Sequence, residues 1–116
     1  MKYFLLEDFA SPDLKGSGKE MNTYLLGMLD AARAKAMIPF IINSGYRTVG
    51  HNKEVKGSPT SSHLKGLAAD IHCVDGVSRL KMVRALLSVG FRRIGIAKTF
   101  IHVDIDSEKP DAIWIY

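Results

Sequence analysis

Two short segments of alternating character constrain this chain more than anything else in it. In Phe100-Ile101-His102-Val103-Asp104-Ile105-Asp106 an extended strand would put Ile101, Val103 and Ile105 on one side and Phe100, His102, Asp104 and Asp106 on the other. In Leu67 to Cys73 the same rule turns Leu67, Ala69, Ile71 and Cys73 inward and Ala68, Asp70 and His72 outward. Two strands of this kind require a sheet with one face in the core and one free to gather polar groups. Asp70 and His102 can then share a cleft, and the small residues Gly66 and Ala68 leave room beside it.

The remaining elements fit around that sheet. Ser17-Gly18-Lys19-Glu20 has the form of a capping box and predicts a helix that starts there and ends before Pro39. Met21, Tyr24, Leu25, Met28, Leu29 and Ala32 would form its apolar stripe. Pro39 to Asn43 reads as a short buried strand, and residues 48–62, with Gly50, Gly57 and Pro59 and no period, as a long functional loop. Ser78 can cap a second helix with Leu80, Val83, Leu86 and Leu87 inward, ended by Gly90 in a left-handed conformation. Arg93 to Ala97 and Phe100 to Ile105 form a hairpin across Lys98-Thr99, and Ile113 to Tyr116 a last strand. The expectation is one α+β domain, residues 1–116, with helices packed on a small, largely antiparallel sheet.

Charge narrows the partners. Residues 47–98 hold ten Lys/Arg against three acidic residues, which favours anionic ligands, an anionic cell-wall polymer among them. Nucleic acid is not expected, because dense basic blocks with interleaved aromatics are absent. Cys73 is the single cysteine, so disulfides and all-cysteine metal sites are excluded, and it reads as a small core residue. The N-terminus lacks the long apolar run of a signal peptide and no stretch is long enough to span a bilayer. A monomer made in the cytoplasm without a membrane partner is expected, reaching any outer substrate by release or export.

Two imidazoles and a carboxylate can hold Zn²⁺ while a coordination position stays open for water. His63 lies at the end of the 48–62 segment and can fold back toward Asp70 and His102. Strand faces alone leave this metal site and ordinary hydrogen-bonded histidines equally open. His72 could orient another group or lie on the surface, and His51 belongs to the loop.

The sequence resembles the zinc D-alanyl-D-alanine carboxypeptidases, peptidase M15, in their short phage- and bacteria-borne branch. Ser61, His63, Gly66, Ala68 and Asp70 match Ser-x-His-x-x-Gly-x-Ala-x-Asp, and Ser44-Gly45-Tyr46-Arg47 matches Ser-Gly-Tyr-Arg. Phe100, His102 and Asp104 match Phe-x-His-x-Asp, and Trp114 and Tyr116 match the closing Trp-x-Tyr. The resemblance implies the fold shared with the Hedgehog signalling domain and Zn²⁺ held by His63, Asp70 and His102. It also implies a carboxylate anchor at Arg47, a substrate hydrogen bond from Ser61, and hydrolysis of a peptidoglycan stem peptide. The chain departs from the pattern at Thr99, where many relatives carry a carboxylate. Asp104 is the best substitute, either as catalytic base or as a partner that orients an imidazole; Asp106 is expected at a solvated strand end. A non-catalytic, zinc-stabilised binding module is the alternative.

Overall fold

A computed structural model describes residues 1–116. The elements run α1 (Thr23–Ala36), β1 (Ile42–Ser44), α2 (Val49–Glu54), β2 (Ala68–His72), α3 (Gly76–Ser88), β3 (Arg93–Ile96), β4 (Phe100–Asp104) and β5 (Ala112–Ile115). The five strands form one sheet in the order β1-β2-β4-β3-β5, antiparallel throughout except for the parallel pair β3 and β5. The expected α+β architecture is observed, with α1 and α3 covering the sheet face that carries Ile71, Ile101 and Val103.

Register decides the site. Across β2 and β4, Asp70 pairs with His102 and Ala68 with Asp104, so these side chains leave the sheet together on the face opposite the core. Ala69, Ile71, Ile101 and Val103 are completely buried on the other face, and Cys73 joins them.

Several expectations need correction. The capping box does not form: the Ser17 hydroxyl accepts from the Ser11 amide at 2.8 Å, and Ser17–Glu20 is a separate 3-10 turn. Asn22 caps α1 instead, accepting from the Leu25 amide at 3.0 Å. Tyr24 therefore falls outside the stripe and is 71% exposed. In α3 the cap is Asp75, which takes both the amide and the hydroxyl of Ser78. The buried face becomes Met82, Ala85 and Leu86 with Val89 packed beside them, spaced i, i+3, i+4, i+7, while Leu80 and Leu87 are exposed. Gly90 does end the helix at φ +106°.

The run Pro39 to Asn43 is not a buried strand. The strand starts later, pairs only with β2 at the sheet edge, and leaves Ile41 exposed. Residues 48–62 are not one structureless loop either: Thr48 caps α2 by accepting from the His51 amide at 3.1 Å, and Ser62–Lys65 form a 3-10 turn capped by Ser61. Gly66 does not make room for a ligand. It closes that turn at φ +69°, and a Cβ there would meet the Glu20 carbonyl oxygen at 2.2 Å.

Candidate metal centre

His63 is held from both ends. Its main-chain carbonyl accepts from the Arg47 amide at 3.1 Å, and its ring Nδ1 lies 2.7 Å from the Gly45 carbonyl oxygen. A carbonyl can only accept, so the proton sits on Nδ1 and Nε2 presents a lone pair toward Asp70 Oδ1, 3.3 Å away. The Ser-Gly-Tyr-Arg segment thus has a local purpose at each position. Ser44 accepts from Arg47 Nε at 3.0 Å, Gly45 lies so close to Phe9 that a Cβ would collide with it, and Tyr46 packs on the core.

His102 stands between two carboxylates, with Nδ1 2.9 Å from Asp70 Oδ1 and Nε2 2.7 Å from Asp104 Oδ2. A neutral imidazole can donate to only one of them. Burial pushes the His102 pKa down, but the hydrogen bonds to Asp104 and Asp70 outweigh it and the net direction is up. Burial likewise pushes the Asp70 pKa up, and the His102 and His63 imidazoles that face it outweigh this and hold it well below the usual carboxylate range. Ligand atoms of His63, Asp70 and His102 all lie within 4.8 Å of one another. Lone pairs converging on one carboxylate in a buried pocket are the surroundings a cation fits, and the set of two imidazoles and a carboxylate suits a zinc-like ion.

Around this centre lies a cleft of about 360 Å³. Arg47, Lys56, Arg93 and Lys109 line it against only two carboxylates, Asp70 and Asp104, and Phe100, Trp114 and Tyr116 form an aromatic wall. Arg47 reaches Asp70 Oδ2 and Asn52 Oδ1, each at 3.3 Å. Three of its five N–H groups are engaged there and at Ser44, so two remain to grip a ligand. Ser61 also lines the cleft, its oxygen accepting from the His63 amide at 3.2 Å.

Asp104 has both oxygens in use: Oδ2 faces His102, while Oδ1 accepts from Arg93 Nε at 2.7 Å and from the Asp106 amide at 3.1 Å. The Arg93 guanidinium also lies 4.8 Å from the Trp114 ring, which in turn sits 5.5 Å from His102. Asp106 is not a solvated strand end. It is 2% exposed and accepts from Ser62 Oγ at 2.7 Å and Lys65 Nζ at 3.1 Å, tying the turn that carries His63 to the end of β4. His72 is exposed, and neither it nor Thr99 lines the cleft.

Sequence reasoning missed Asn52, Arg93, Gly95 and Asp106. Asn52 sits in the overlooked helix α2. Gly95 is needed because a Cβ there would lie 2.6 Å from the Trp114 indole and 2.7 Å from the Tyr116 ring.

The family model of peptidase M15 matches residues 6–105, a span that contains His63, Asp70, His102, Arg47 and Asp104. The chain belongs to the peptidase M15 family. Membership makes it a hydrolase of the metallopeptidase kind, and the buried His-Asp-His cluster is where an M15 peptidase of this fold can bind its metal. No curated protein matches the chain. No helix is long and apolar enough to cross a membrane.

Proposed function

We propose that this M15 chain is a zinc-dependent peptidase that hydrolyses a peptide bond in bacterial peptidoglycan stem peptides, as a D-alanyl-D-alanine carboxypeptidase or an endolysin-like endopeptidase. The observation that carries the reading is the convergence of His63 Nε2, His102 Nδ1 and Asp70 beside a guanidinium with donors to spare. His63, Asp70 and His102 would hold Zn²⁺, which when bound supplies the Lewis acidity that polarises a carbonyl and acidifies water.

The chain's own groups do the rest. Arg47 grips a substrate carboxylate within a residue or so of the reacting bond, since its Nη2 is only 3.3 Å from Asp70. Ser61 can donate its hydroxyl proton to the peptide while its oxygen holds the His63 turn. Asp104 acts as the carboxylate that orients His102 rather than as a base, because both oxygens are occupied and it is 1% exposed. The basic cleft suits a peptide rich in carboxylates.

That lack of a free carboxylate also favours a second reading, a zinc-stabilised module that binds the same peptide without cutting it. One experiment separates the two: zinc-loaded protein is incubated with soluble peptidoglycan fragments and the products are weighed by mass spectrometry. Loss of one alanine indicates a carboxypeptidase, an internal split an endopeptidase, and intact fragments with zinc still bound the binding module.

A further inference from the structure

Besides Ser61 and Lys56, the cleft carries a proton-bearing side chain on its aromatic wall that donates to no protein atom. Ser62 donates to Asp106, and the two carboxylates are committed to His102 and to three further donors, Arg47, Arg93 and the Asp106 amide. Tyr116 lines the same cleft, and its hydroxyl donates no hydrogen bond within the protein.

Its place is fixed by three independent contacts. The Tyr116 amide donates to the Ile96 carbonyl at 3.1 Å, its ring stands 5.1 Å from Phe100, and it lies over Gly95 where a Cβ would collide with it. Burial pushes the phenol pKa up, Asp70 and Asp104 add to this, and Trp114 and Arg47 offset only part of it. The proton is therefore present through neutral pH, and the charges that act on the phenol are those of the centre and of its carboxylate anchor.

Resting on the peptidase reading, we infer that the Tyr116 hydroxyl donates a hydrogen bond to the carbonyl oxygen of the scissile peptide as negative charge develops there. In that step the oxygen of a water bonds to the carbonyl carbon and the π pair moves onto the carbonyl oxygen, which Tyr116 receives. When the C–N bond breaks, its pair leaves with nitrogen and both protons of the water end there, giving a carboxylate and an ammonium. Tyr116 keeps its own proton throughout and acts as a preorganised donor.

Tyr116→Phe removes the hydroxyl and nothing else, and its ring is exposed enough that the fold is undisturbed. The expected result is a kcat roughly 10²-fold lower with KM within about twofold. Zinc content and melting temperature stay as in the wild type, and affinity for the phosphinate analogue of the cleaved peptide, measured by calorimetry, falls in parallel with kcat. A Tyr116→Phe protein with wild-type kcat, or with only KM altered, overturns the inference and leaves the peptidase reading standing. Wild-type protein that holds zinc and cleaves no fragment overturns both.

Discussion

Asp104 controls which ring nitrogen of His102 is free. Its Oδ1 receives Arg93 Nε and the Asp106 amide, so in an Asp104→Asn protein the amide oxygen must take that place. The new NH₂ group then faces His102 Nε2, which becomes an acceptor, and the ring proton moves to Nδ1, the atom that faces Asp70. We expect zinc affinity, measured by competition with a chelating dye, to fall roughly 10- to 100-fold while the circular dichroism spectrum is kept. Unchanged affinity would mean that Asp104 does not set the tautomer. His102 and Asp70 were legible in the sequence because strand alternation sorts side chains by face without any knowledge of register. Arg93 was not, since its partnership with Asp104 arises only once β3 is placed beside β4, with Ile94 opposite Val103. Asp106 was misread for the same reason: its partners Ser62 and Lys65 come from a turn more than forty positions away.

At the level of elements, α2 shows why a short helix escapes a periodicity reading. It has six residues, and the only one buried is the polar Asn52. Asn52 Oδ1 accepts from Arg47 and its Nδ2 donates to the Ser58 carbonyl at 2.9 Å, so one side chain braces the anchor and shapes the cleft wall. Asn52→Ala should cost about 1–2 kcal/mol of stability in urea titrations by stranding those partners. It should also raise KM several-fold with little change in kcat. A variant with normal KM would show that Arg47 keeps its place without help. Strand β3 makes the complementary case. Gly95→Ala places a Cβ 2.6 Å from the Trp114 indole, so the aromatic wall must move off the sheet. The expected outcome is a loss of roughly 1–3 kcal/mol and a changed near-ultraviolet tryptophan signal. Strands β2, β3 and β4 and the hairpin were readable from alternation and turn length, whereas β5 joining β3 in parallel was not, because no local pattern encodes which edge a last strand takes.

The whole molecule depends on ties between distant segments, and these respond to pH and to metal. Burial raises the Asp106 pKa, but the bonds from Ser62 and Lys65 outweigh it and bring it to about 2, below the ordinary aspartate value. The unfolded chain therefore binds this proton more readily. The contribution to stability is complete above the unfolded value and drains away as pH falls from about 4 toward 2. Because Lys65 is partly exposed, the amount is of order 1 kcal/mol, and Asp106→Asn should flatten the acid limb of stability against pH by that much. Metal acts in the other direction. Its ligands come from the 3-10 turn, β2 and β4, positions that meet only in the folded state, so an ion bound there stabilises that state by mass action. At a hundredfold excess over Kd the gain is about 2.7 kcal/mol, which corresponds to a melting temperature higher by roughly 10 °C for a domain of this size. Chelation should reverse the rise in the wild type, and Asp70→Ala should show neither the rise nor its reversal. A rise of equal size in Asp70→Ala would place the stabilising ion somewhere other than between His63, Asp70 and His102.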